Sequence, residues 1–377
     1  MNTAKAPFFM EVMLMKILFV SAFSPGNVRA YAYHQRLLNL KHGLQQCGVA
    51  TEMLYIGDYF FRSPILIEAL DIPMIRKELG GYDAIHGGAS AACYVLGLVK
   101  NLQNFTLIHD VHGCVEEPLL QKGHFDLVND FIYLEGLILE EVSNRNADFF
   151  ITCSKPLEDR LLQRGIDRSV IKVIRNGVDT ELFKPKDFSS NGREFVVTYA
   201  GAFQKWQGIE TLVAAATLIK ETRVKFRIIG FRKEDHALKN ELNRILSGRA
   251  ELIDSLSQDE LVDQLCSSDV LVIPRSRNCA TQMAFPTKFA EYIATGKPVI
   301  VTGVDETANF VREFNCGFVC EPSAESIART IIKASRLPSN TLLDMGKNGR
   351  RLAESQFDRR IIAKQYCEFL RRVLPNS

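Results

Sequence analysis

Short apolar runs recur along the chain, each followed by a longer stretch with helical spacing. The first, KILFVSAF (Lys16–Phe23), is continuous rather than alternating and ends at Ser-Pro-Gly. Such a run predicts a strand covered on both faces, as in a parallel sheet. The next stretch, Arg29 to Cys47, places Leu37, Leu38, Leu44 and Cys47 on one face and stops at Gly48. That pattern predicts a helix. TEMLYI, YDAIHG, FTLIHDVHG, DFFITC and VIKVI repeat the strand signal, and the longest helical interval, Phe125 to Asn146, lies among them. Strand–helix alternation predicts an α/β chain with a parallel sheet and helices on both faces.

After RNGVDTELFKP comes KDFSSNGRE, a polar stretch of linker composition. The alternation then restarts with EFVVTYAGAF, KFRIIG, AELID, DVLVIP, KPVIVT and CGFVC. The expected organisation is therefore a leader over residues 1–14, a first domain over 15–185, a linker at 186–191, a second domain over 192–357 and a closing helix within 358–377. Both domains read as doubly wound, Rossmann-like parallel sheets. Ligands of such sheets bind beyond the carboxyl ends of the strands, so the strand-end residues carry the candidate chemistry.

Composition narrows the class. The chain has 377 residues, 46% hydrophobic and 24% charged, which suits two soluble globular domains. A formal net charge of +2 gives no electrostatic case for nucleic acid. Residues 15–185 hold 17 Lys and Arg against 20 Asp and Glu, while residues 186–377 hold 28 against 23. The second half is thus the more suited to a small anionic ligand. The nine cysteines include no Cys-x-x-Cys pair, which points to buried thiols in a reducing cytoplasm. No uncharged apolar stretch reaches the roughly 18 residues of a spanning helix. The apolar leader is broken by Glu11 and Lys16 and lacks a small-residue cleavage site, so it reads as a disordered or misassigned start before Met15 rather than a signal peptide.

Three strand ends stand out. FPTKFAEYIATGKPVIV (Phe285–Val301) opens a helix with Pro286, Thr287 and Lys288 and carries Glu291 one turn on. Free amides, dipole and a lysine at a helix start attract phosphate. A carboxylate one turn deeper suits two vicinal hydroxyls, as on a ribose. The same spacing also serves an amphipathic surface helix with an intrahelical Lys–Glu pair. TYAGAFQKWQGIETLVAA (Thr198–Ala215) runs a strand into a loop with Gly201, Lys205, Trp206 and Gly208 before a helix at Ile209. Such a loop holds a diphosphate or forms an ordinary strand–helix turn. LIHDVHG (Leu107–Gly113) ends a strand with His109, Asp110 and His112, and alternation alone does not choose between the histidines. Asp110, Glu116 and Glu117 are weaker candidates. No Asp-x-Asp and no zinc-like His/Cys spacing occurs, so no metal site is expected.

Together VIRNGVDTELFKP (Val173–Pro185), YAGAFQKWQGIETLVAA (Tyr199–Ala215) and PTKFAEYIATGKPVIV (Pro286–Val301) resemble the family 4-type glycosyltransferases of the GT-B fold, the group 1 glycosyl transferases. The resemblance runs from Lys16 to about Pro375. It implies a nucleotide-sugar held by the second domain and an acceptor held against the first. By resemblance Glu291 holds the ribose hydroxyls, Pro286, Thr287 and Lys288 lie by the donor phosphates, Lys205 and Gly208 form the phosphate-side loop after Gly201, and His112 lies near the donor sugar. Asn176, Gly177 and Asp179 form a structural turn at the domain junction, and the last helix crosses back to the first domain.

The chain departs from the family in three places. Met283 stands where a second glutamate is common, Ala202 where an arginine follows the glycine, and Gln207-Gly208 where Lys-Gly is usual. Lys205, Arg275 and Lys288 are the candidate replacement cations. The implied activity is a retaining, metal-independent hexosyl transfer. It moves a sugar from a UDP- or GDP-sugar to a saccharide or lipid-linked saccharide in cell-surface polysaccharide synthesis. No cofactor is implied, and the location is cytoplasmic, with peripheral contact at the inner membrane face. Acceptor contacts are expected from Ser24–His34, including Arg29, Tyr31 and His34, where a capped first helix is the alternative reading. The rival functions are a non-catalytic GT-B subunit, which the three departures keep open, and a UDP-sugar 2-epimerase, for which the chain offers few extra acids and histidines.

Overall fold

The computed structural model describes residues 15–22, 31–56, 72–114, 127–187 and 194–374. The leader, Arg29, the Tyr31 side chain, Glu116, Glu117 and most of the polar stretch after Lys186 lie outside them. The short apolar runs become two parallel six-stranded sheets. The first contains β1 (Lys16–Ser21), β2 (Ala50–Tyr55), β3 (Ala84–Gly88), β4 (Leu107–Val111), β5 (Phe149–Thr152) and β6 (Ile171–Val173). Its order is β2-β1-β3-β4-β5-β6. The second contains β7 (Phe195–Ala200), β8 (Val224–Phe231), β9 (Ala250–Asp254), β10 (Val270–Ile273), β11 (Val299–Thr302) and β12 (Gly317–Cys320), in the order β12-β11-β10-β7-β8-β9. Every residue of β3, β4, β10 and β11 is buried, which explains why these strands read as unbroken rather than alternating. The winding direction reverses between β1 and β3 and again between β7 and β10, and each reversal opens a crevice at the strand ends.

The helix Tyr31–Gln46 packs beside the closing helix Arg359–Val373. Leu37, Leu40 and Leu44 of the first share a core with Ile362, Tyr366, Phe369 and Leu370 of the second and with Ile17 and Phe19 of β1. The inward face therefore runs through Leu40, while Leu38 is only partly buried. Gly43 permits the contact, since a Cβ there would lie 2.4 Å from the Ala363 Cβ. The closing helix, although last in sequence, is thus built into the first sheet's core. The chain reaches it through a parallel bridge between Val178 and Asp358, with Val178 N donating to Phe357 O at 2.8 Å and Arg359 N to Val178 O at 2.9 Å.

The helix Thr287–Ala294 is fixed on its apolar side by Phe289, Ala290, Tyr292, Ile293 and Ala294, all buried. The Phe289 ring meets Phe285 edge-on at 5.8 Å and Phe357 at 5.9 Å. Truncating one such ring to alanine costs about 3–5 kcal/mol. Tyr292 Oη donates to Ala200 O at 3.0 Å and accepts from Ala200 N at 2.7 Å, which pins the helix to the end of β7. At the far end Arg350 Nη1 donates to the orphan carbonyl of Ala294 at 2.9 Å and to Phe183 O at 2.7 Å. The helix is therefore held at both ends before any ligand arrives.

Candidate functional site

The crevice between β7 and β10 collects residues from three loops. Pro286, expected inside the first helical turn, sits one residue earlier as the N-cap, with Thr287 starting the helix. Lys288 turns toward the end of β7. Its ammonium donates to Gln207 Oε1 at 3.1 Å and Tyr199 Oη at 3.2 Å, and lies 4.3 Å from the centre of the Tyr199 ring. Gly201 has φ 141°, and a Cβ there would lie 2.7 Å from Lys288 Nζ. Glycine is required here so that the cation can rest against the backbone. Gln207, which replaces a cation of the family pattern, is the partner that orients Lys288.

Gly208 serves a different purpose. At φ 77° it caps the helix Ile209–Leu218, and a Cβ would collide with Pro274 O at 1.8 Å. It therefore brings the loop after β7 onto the loop after β10. Ser276 N donates to Trp206 O at 3.1 Å across the same junction. Lys205 is exposed on the short 3-10 turn Lys205–Gln207 and has no ion pair among the described residues.

Arg275, expected to offer charge to a phosphate, is instead 4% exposed and paired with Asp305 at 2.5 Å. Its Nη1 also donates to Ala284 O at 2.9 Å. A buried guanidinium needs a counter-ion, and Asp305 supplies it thirty residues downstream, beyond the reach of local pattern. The charge still acts at a distance. Burial first, and Arg275 second, hold Lys288 down to about 7, against the pull of Glu291. Burial pushes Glu291 up to about 7, against the pull of Lys288. Both side chains are partly open to solvent, yet protein packs them closely enough for desolvation to dominate.

Thr287 and Glu291 face a narrow cleft shared with Gln35 and Asn39 of the first half and with Arg175 and Asn176 of the connecting turn. Among the described residues no hydrogen bond or ion pair reaches the Glu291 carboxylate, so the surface Lys–Glu pair does not form. Lys288 and Glu291 thus diverge from one helix start, one toward β7 and the other toward the first half. Met283 ends the short helix Cys279–Met283, its carbonyl accepts from Ser154 Oγ, and its sulfur lies 3.6 Å from Arg160 Nη1. That position now contacts the first half.

On the first-half side the structure separates the two histidines. His109 is fully buried between Ser90 Oγ at 3.5 Å and Asn144 Oδ1 at 3.2 Å, and burial lowers it to about 4. His112 lies just past β4, stacked on Tyr33 at 4.8 Å. Its Nδ1 lies 3.3 Å from Asp110 O, which only accepts, so Nδ1 carries the proton. Burial holds the ring below the ordinary histidine value, leaving Nε2 as an acceptor. Asp110 is no free acid. Arg36 grips both its oxygens and holds it far below the usual carboxylate range, against desolvation. Among the described residues no three His, Cys, Asp or Glu side chains converge as metal ligands, and no helix is long and apolar enough to cross a membrane.

Residues 28–182 match the model of Glycosyltransferase Family 4, and residues 181–352 match Glycosyl transferases group 1. A curated relative, D-inositol 3-phosphate glycosyltransferase from Paenarthrobacter aurescens, is 25% identical over 77% of this chain and 73% of its own. Among solved structures, sucrose-phosphate synthase from Thermosynechococcus elongatus has a TM-score of 0.76 at 20% identity, over 96% of this chain and all of that one. HepE from Anabaena, solved with UDP and glucose, has a TM-score of 0.72 at 19% identity, over 95% of this chain and all of that one. The chain belongs to the group 1, family 4-type glycosyltransferases and has the GT-B fold.

Proposed function

We propose that the protein moves a hexosyl group from a UDP- or GDP-sugar to a hydroxyl of a saccharide or lipid-linked saccharide, with retention and without a metal, in cell-surface polysaccharide synthesis. The observation that carries this reading is the paired geometry of one helix start. Lys288 rests its ammonium against the Gly201 backbone, and the Glu291 carboxylate, without a partner among the described residues, lies one turn on. A cation at a helix N-terminus suits a diphosphate, and an unpartnered carboxylate suits the two hydroxyls of a ribose. The UDP found with HepE supports the uridine nucleotide as donor.

In the reaction the bond between the anomeric carbon and the leaving phosphate oxygen breaks, and the acceptor oxygen bonds to the same face. The acceptor proton passes to the leaving phosphate. Lys288 and the helix amides stabilise the charge that builds on that phosphate, which places their effect in the transition state. His112, neutral with Nε2 free to accept, holds a hydroxyl of the donor sugar. A lipid-linked acceptor would bring the protein to a membrane surface peripherally.

A thermal-shift screen with UDP, GDP and ADP and their sugars tests the donor class. The fitting nucleotide at about 100 times its dissociation constant stabilises by about 2.7 kcal/mol. Glu291→Gln loses one charged acceptor and should weaken that nucleotide about ten- to a hundredfold. No stabilisation by any of them contradicts the reading.

A further inference from the structure

A buried hydrogen-bonded path joins the two halves. Arg36 is 4% exposed and donates from Nε and Nη2 to the Asp110 carboxylate at 2.8 Å each. Its Nη1 donates to Ile174 O at 2.8 Å and Asn176 Oδ1 at 3.1 Å. Asn176, 7% exposed, donates from Nδ2 to Phe285 O at 2.9 Å. Phe285 directly precedes the Pro286 cap of the helix that carries Lys288 and Glu291. At the other end the Asp110 carbonyl accepts from His112 Nδ1. The path therefore runs from His112 through Asp110, Arg36 and Asn176 to the start of the Thr287 helix.

Each link has a fixed polarity. Arg36 only donates and the Phe285 carbonyl only accepts, so the Asn176 amide has one orientation, and no water is needed to complete it. Arg36 satisfies acceptors on β4, just past β6 and on the connecting turn at once. Shifting the Thr287 helix start relative to β4 would orphan at least one buried polar group, which is costly. Resting on the transferase reading above, we infer that Arg36 and Asn176 are positioning residues. They hold the phosphate-side helix in register with His112 and carry the effect of nucleotide binding from one to the other.

Asn176→Asp isolates the decisive link. It keeps an acceptor toward Arg36 but sets a carboxylate oxygen against the Phe285 carbonyl. The probe is whichever of UDP and GDP binds the wild-type protein. In the wild type, nucleotide should slow amide hydrogen exchange in residues 107–114. In Asn176→Asp it should bind within about threefold of wild-type affinity, yet that protection should vanish. Nucleotide release from the matching sugar donor should fall about tenfold in kcat, the scale of one buried hydrogen bond. Arg36→Lys, which keeps a charge opposite Asp110 but cannot reach every acceptor, should give the same pattern. A purely structural role would lower the melting temperature and leave the induced protection in place. Normal kcat and intact protection in folded Asn176→Asp or Arg36→Lys would overturn the inference. Failure of the wild type to bind either nucleotide would overturn the functional reading beneath it.

Discussion

Binding of a sugar nucleotide should move protons, with a sign that reverses near neutrality. Free Lys288 and free Glu291 both titrate at about 7. A diphosphate beside Lys288 favours its charged form, and hydroxyls donating to Glu291 favour its charged form too. At pH 7.5 each free group is about one-quarter protonated. Binding there takes up about 0.75 proton at Lys288 and releases about 0.25 at Glu291, a net uptake of roughly 0.5. At pH 6.5 the shares exchange, and binding releases roughly 0.5 proton. The two groups interact, so the crossing point near pH 7 belongs to the pair. Calorimetry in two buffers of different ionisation enthalpy measures the count directly. A UDP- or GDP-sugar is the proper ligand, since its diphosphate stays fully ionised over this range. Glu291→Gln should show uptake at every pH, and Lys288→Met release at every pH. An equal proton count at pH 6.5 and 7.5, or a Glu291→Gln curve that matches wild type, would refute the reasoning.

Three further outcomes follow from the same geometry. Lys288→Ala should lower kcat by a factor on the order of 100, as when one donor to a developing anion is lost. Lys205→Ala should cost less than about tenfold, because an exposed ammonium is solvated and screened. Equal losses in single-turnover kinetics would contradict that ranking. Stability should carry the site's signature as well. The folded pKa of Lys288 lies below its ordinary 10.5, so the native state binds fewer protons between about 7 and 10.5. Urea midpoints of wild type relative to Lys288→Met should therefore rise with pH over that window. The folded pKa of Glu291 lies above its ordinary 4.5, so wild type relative to Glu291→Gln should fall between about 4.5 and 7. A flat difference in either series would count against the burial account. Finally, sugar transfer should survive EDTA, and loss restored by magnesium or manganese would show that Lys288 and the helix amides are insufficient.

Much of the fold was legible because its signals are local. Short apolar runs named the strands, and the restart of the alternation after KDFSSNGRE located the second sheet. The Thr287 helix and its Lys288 and Glu291 were readable from spacing alone. What spacing could not say was where each side chain would turn. Periodicity put Thr287, Lys288 and Glu291 on one face, yet Lys288 bends to Tyr199 and Gln207 while Thr287 and Glu291 face the first half. Arg275 looked available because Asp305 is distant in sequence. Asp110 likewise looked like a weak acid candidate because Arg36 is 74 residues away. Partner choice among buried charges is set by tertiary packing, and no local pattern records it. Alternation left the histidine choice open for a related reason. His109 and His112 differ in whether the chain has left the sheet, and alternation along one strand does not mark that edge.

The central claim is that one helix start holds both ends of a sugar nucleotide's charged and hydroxylated half. The most direct measurement is a crystal structure of the complex with UDP. The account predicts the distal phosphate about 3 Å from Lys288 Nζ and the Thr287–Lys288 amides, with the ribose hydroxyls donating to the Glu291 carboxylate. UDP bound with its ribose and phosphates away from Lys288 and Glu291 would contradict it.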